Sequence, residues 1–158
     1  MKLLFVIFFV TFIALSSAFV ARNSLIDGNE IQTIFTNIED FKEKYPNAKI
    51  IPMDYHLKAD ATRSYTLGVR QTGDTVVANT SNKNSWPVAQ NVTTTLTYPS
   101  SGGSGAFLTY ILINCEQSSN IGQAYVTYGG IHQHFIQIVI DTRITTYFNY
   151  AAFFYGIK

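Results

Sequence analysis

The chain has 158 residues, 11 of them Lys or Arg and 10 Asp or Glu, for a net charge of +1. So even a balance lacks the basic footprint that phosphate-backbone binding requires, which argues against direct nucleic-acid contact. The sole cysteine, Cys115, excludes a disulfide-stapled scaffold, so the fold must hold by packing and hydrogen bonding.

Met1-Lys2 opens an apolar run that lasts to Leu15, and Ser16-Ser17-Ala18 supplies the small residues of a cleavage site. The run is about thirteen residues, whereas a helix needs roughly twenty to cross a bilayer. The pattern predicts a signal peptide over residues 1–18. It also predicts a secreted, extracellular product starting near Phe19, with no membrane span in the mature chain. About 140 residues then remain, enough for one domain with its own core.

Residues 19–61 read as a helical and irregular segment. From Asp27 to Lys44 the apolar residues Ile31, Ile34, Phe35, Ile38 and Phe41 form one helical stripe. Asp27 and Glu30 have capping-box spacing, and Pro46 blocks continuation. The stripe predicts an amphipathic helix packed on the rest of the domain; a removable prosegment or partner-binding helix is the alternative. Asn47 to Ala61 reads as irregular.

Residues 62–158 read as an antiparallel β domain. Ser64 to Arg70 alternates, Thr72-Gly73-Asp74 turns, and Thr75 to Asn79 returns as the second strand of a hairpin. Val88 to Tyr98 alternates, with Val88, Val92, Leu96 and Tyr98 on one face and Asn91, Thr93, Thr95 and Thr97 on the other. Ser100 to Gly105 is a loop. Phe107 to Cys115, Gln123 to Tyr128, Gln133 to Ile140 and Thr145 to Tyr155 complete about seven strands. Cys115 follows Ile111 and Ile113 at period two, which points it into the core; an intermolecular bridge is the other reading. Short strands separated by turns predict a mainly β fold, an antiparallel β-sandwich with an N-terminal amphipathic helix.

Candidate chemistry is sparse. His132 and His134 share a strand face and could present two imidazoles to a metal, but no third ligand has the spacing to join them. Gly103-Ser104-Gly105 is not a nucleophile elbow, and no paired carboxylates stand out, so neither an enzyme nor a cofactor is expected. Asn79-Thr80-Ser81 and Asn91-Val92-Thr93 are glycosylation sequons in a chain expected to be secreted. The last strand is aromatic on both faces, with Tyr147, Phe153 and Tyr155 on one and Phe148, Tyr150 and Phe154 on the other. Either it is a central strand covered on both sides, or Tyr147, Phe153 and Tyr155 form an exposed interaction patch.

The stretch Tyr65-Thr-Leu-Gly68-Val-Arg70-Gln-Thr-Gly73-Asp74, then Gly122-Gln-Ala-Tyr125-Val, Gly129-Gly130 and Phe153-Phe-Tyr155-Gly156, resembles an insect family. It is the transcription-activator family named after multiprotein bridging factor two. The resemblance runs from about Arg63 to Lys158. It implies either secreted relatives of the response-to-pathogen kind or a coactivator bridging a DNA-bound regulator to the general transcription machinery. With the signal peptide weighed first, the expected function is a secreted, non-enzymatic binding protein in gut, salivary or defence secretions. Its expected partner is a protein or surface not identified by the sequence, with self-association possible. Transcription coactivator and small-ligand carrier are the alternatives.

Overall fold

The computed structural model describes residues 38–58 and 62–158. The expected signal peptide and the helical turns before Ile38 lie outside them. The described elements are α1 (Ile38–Lys44), β1 (Ile51–Pro52), β2 (Asp54–Leu57), β3 (Arg63–Gly68), β4 (Thr75–Tyr98), β5 (Phe107–Gln117), β6 (Gly122–Gly129) and β7 (Ile136–Ile157).

All seven strands join one antiparallel sheet in the order β1-β6-β7-β5-β3-β2, with β4 on the other side of β7. β7 is the axis. Its first half pairs with β6 and its second half with β5, while β4 follows it almost end to end. Both long strands break step at the same level. β4 shifts register between Ser85 and Gln90, and Ile144 of β7 sits at a φ of 54°, held there by its N–H donating to Asn91 Oδ1 at 3.1 Å. A β-branched residue in that region is strained, as residues at bulges that bend a strand can be.

The bend folds the sheet on itself, so that the inner faces of its two halves share one core. Ile111, Ile113, Cys115, Ala152 and Phe154 from one half join Leu96, Val126, Ile136, Ile138 and Ile140 from the other. Tyr98 stacks on Phe154 across this interior at 5.5 Å. Each buried Val, Leu, Ile or Phe among them contributes roughly 1.5–3 kcal/mol. The interior that a small-ligand carrier would need is thus occupied by these side chains. Residues 51–57 close the far side, β1 pairing with β6 and β2 with β3.

The mainly β, antiparallel expectation holds and the count of seven strands agrees, but they are not the same seven: the segments expected at 75–79 and 88–98 run together as β4, those at 133–140 and 145–155 run together as β7, and β1 and β2 arise from a stretch expected to be irregular. Two further features differ. The separate sheets of a sandwich are replaced by one sheet folded nearly into a barrel. The expected hairpin does not form either, because β3 pairs with β2 and β5, while β4 crosses to the far side of β7. Asp74 sets that departure. Its carboxylate accepts from Arg70 Nε, Gln71 N and Thr109 Oγ1 at 2.8, 2.8 and 2.7 Å, pinning the turn to β5.

α1 packs on the first half of β7 through Ile38 and Phe41, which bury against Val139 with Tyr125 and Ile50 beside them. One nitrogen of Arg143 spans both carboxylate oxygens of Glu39 at 2.9 and 2.8 Å, and its Nε donates to Asp141 at 3.0 Å. This part of the expected helix is packed onto the sheet.

Candidate interaction face

The second half of β7 alternates sharply. Phe148, Tyr150, Ala152 and Phe154 are buried in the core. The intervening residues point outward, on the side away from the shared interior. Register places Tyr155 beside Tyr110 of β5 and Val76 of β4, and Phe153 beside Leu112 and Asn79. The Tyr110 and Tyr155 rings lie 5.7 Å apart. The Arg70 guanidinium covers Tyr155 at 3.8 Å, inside the range of a cation–π contact.

Arg70 is itself held. Asp74, whose side chain is fully buried, binds it with a 2.6 Å ion pair, and Arg70 remains half exposed. That guanidinium, aided by the Gln71 N–H and the Thr109 hydroxyl, keeps the Asp74 carboxyl well below the usual carboxylate range. The result is a small, half-buried apolar face of Tyr110, Leu112, Phe153 and Tyr155 with an oriented cation at one end. Further along, beyond Ala151, the outer face turns polar, where Asn149 donates to Glu116 at 3.2 Å.

Of the three residues picked out for this patch, the structure brings Phe153 and Tyr155 together. Tyr147 is 40% exposed but stands eight residues from Tyr155, or about 26 Å along an extended strand, past the polar stretch. α1 covers the other half of β7, so it does not screen this face. Sequence reasoning missed Tyr110, Leu112 and Arg70. The first two were within reach, because placing Ile111, Ile113 and Cys115 inward on a period of two puts Tyr110 and Leu112 outward. Arg70 was not, since its place depends on the grip of Asp74.

The remaining candidates are dispersed. His132 and His134 do not share a strand face, because both lie in the turn before β7, where His132 stacks on Phe107 at 5.7 Å and His134 meets the same ring edge-on at 5.7 Å, its Nδ1 at 2.8 Å from the Gly105 carbonyl. Among the described residues no three His, Cys, Asp or Glu side chains gather as a metal site. Asn79 is exposed on the outer face of β4, and Asn91 is exposed at the bend with its Oδ1 engaged by Ile144. Ser104 lies exposed in the loop after β4. Cys115 is fully buried, and burial pushes its thiol up to about 12, away from thiolate chemistry. Gly129, at a φ of 67°, is required by its turn, since a Cβ there would lie 2.3 Å from the Phe135 carbonyl oxygen. No helix among the described residues is long and apolar enough to cross a membrane.

A family model described as transcription activator MBF2 matches residues 67–156. No curated protein and no solved structure matches the chain. The family match corrects the expectation of a secreted, extracellular protein. Transcription activation takes place where the DNA template and its machinery are, inside the cell, and the match takes in β4 to β7 and the aromatic face they carry.

Proposed function

Because the chain belongs to the MBF2 family, we propose that it acts inside the cell as a transcription coactivator, through protein–protein contact. In this reading it bridges a DNA-bound regulator to the general transcription machinery and does not itself hold DNA. The net charge of +1 supports a bridge over a DNA reader, because phosphate contacts need clustered cations. The face carrying Phe153, Tyr155, Tyr110 and Leu112 is the contact surface. The observation behind that assignment is that β7 presents aromatic residues outward on the half α1 leaves uncovered, flanked by an arginine held in place. Aromatic residues and Arg are the side chains enriched where protein partners dock. The role is non-enzymatic.

The test is transcription from a reporter driven by a DNA-bound regulator, measured with and without the chain. Regulator-dependent stimulation supports the reading. An unchanged reporter, or binding of the purified chain to the reporter DNA with no regulator present, rejects it.

A further inference from the structure

We propose that the outer edge of β4 pairs with the same strand of a second copy of the chain, antiparallel and about a two-fold axis at Asn82. The sheet ends on one side in β1 and β2, of two and four residues, and on the other in β4, of 24. Among the described residues β7 is the only strand that β4 pairs with, and no turn or loop backbone bonds to it. The peptide groups along its other edge therefore have no strand to meet. Such edges are normally kept short, or broken by proline, charge or a bulge. β1 and β2 are short. β4 instead keeps unbroken register from Ala78 to Ser85, between a shift after Val76 and another after Ser85. Lys83 is the only charge in that run, and Pro87 lies beyond it.

An extended strand is the partner whose N–H and C=O groups repeat in step with such an edge. A second copy supplies one in the required direction, because a two-fold rotation sets a strand antiparallel to itself. Side chains select the register. An axis at Asn82 places Asn82 opposite its own copy, Ser81 opposite Lys83, Asn79 opposite Ser85 and Ala78 opposite Trp86. Polar residues then face polar ones, no charge meets a like charge, and the largest side chain of the run lies against the smallest. An axis at Lys83 would bring two ammonium groups together, which cross-strand pairing disfavours. Asn79, Ser81, Lys83 and Ser85 are exposed, so the pairing leaves the core undisturbed. With the axis perpendicular to the sheet, the outer faces of both copies stay on one side. The two β7 strands then lie about 14 Å apart, three strand spacings, in one continuous sheet. A bridge needs two contact surfaces, and this dimer supplies them. That consequence rests on the coactivator reading, whereas the pairing itself does not.

Sedimentation equilibrium of the full chain from micromolar to millimolar concentration tests the pairing, with Ser81→Lys and Ser81→Glu beside the parent. Position 81 is exposed, so both variants should melt with the parent. The expected result for the parent is a monomer–dimer equilibrium. Ser81→Lys sets ammonium groups opposite each other on both sides of the axis and should raise the dissociation constant about fivefold or more. Ser81→Glu instead meets Lys83 of the other copy and should lower it by a similar factor. Ser104→Lys adds the same charge in the exposed loop after β4 and should change nothing. Four results would overturn the proposal: a monomer at every concentration, a dimer indifferent to the charge at position 81, an equal response to Ser104→Lys, or an open series of larger species. The last would mark head-to-tail contact, in which β4 of one copy meets a different surface of the next.

Discussion

The two halves of β7 carry the same sequence signature for different reasons. In the first half, Val139 faces outward yet is completely buried, because Ile38 and Phe41 of α1 lie over it. In the second half, Phe153 and Tyr155 also face outward, and α1 is absent from that side; they are screened only in part, by strand neighbours and Arg70. An apolar residue on the outer face thus means packing under a helix in one half and, among the described residues, a half-buried position with no helix over it in the other. Strand alternation cannot tell these apart, since what differs is the element placed above the sheet.

That contrast can be broken from either side. The largest effect is expected within the shared interior. Phe154→Ala should lower stability by about 4 kcal/mol, since truncating a buried Phe both removes apolar surface and leaves a cavity. Phe41→Ala should cost somewhat less, about 3 kcal/mol, because the helix it anchors can settle or detach. Its loss should show as faster amide exchange at Val139 and Tyr125 while exchange around Phe153 stays slow. Equal acceleration in both halves would refute the view that α1 covers only the first.

Acid sharpens the comparison at the other end. The folded Asp74 carboxyl is held below its unfolded value by Arg70, so its contribution to stability is fully present above pH about 4. It is lost progressively as the pH falls below that towards the folded value. Asp74→Asn should therefore be less stable at neutral pH and show a shallower acid dependence below pH 4 in circular-dichroism melts. An acid limb as steep as that of the parent chain would show that Asp74 does not lock the turn. The smallest effect is reserved for Tyr65. Burial pushes its phenol up, and its hydroxyl makes no hydrogen bond of proper geometry although Arg63 lies near. Tyr65→Phe should then change stability by no more than about 1 kcal/mol, and in the favourable direction.

Much of this was legible in the residues. Period-two alternation located β3, β5 and β6 and both halves of β4 and β7, though it read each of those two long strands as a pair; of the residues expected inward, Leu96, Tyr98, Ile111, Ile113 and Cys115 are core, Val92 is only partly buried and Val88 is 75% exposed. The failures have physical causes. Lys83-Asn84-Ser85 and Pro87 look like a break, yet β4 continues through them because β7 supplies a partner up to Ser85 and again from Gln90. Residues 51–57 lack any alternation of burial and look irregular, but they become strand because two edges lie within reach. The hairpin was misplaced because Gly73 signals a turn without saying which strand follows beside it, and the side-chain grip of Asp74 decides that. Of the candidate face, Phe153 and Tyr155 were visible as aromatic residues out of pattern. Tyr147 was grouped with them by parity alone, and distance along the strand separates it.

The most direct measurement is regulator-dependent reporter transcription with the double variant Phe153→Ser/Tyr155→Ser, alongside its melting temperature and that of the parent chain. If the outer face of the second half of β7 is the contact surface, the variant melts within a few degrees of the parent and loses most of its stimulation. Full stimulation by a stably folded variant would contradict that assignment, and a collapse of the fold would show these rings to be core.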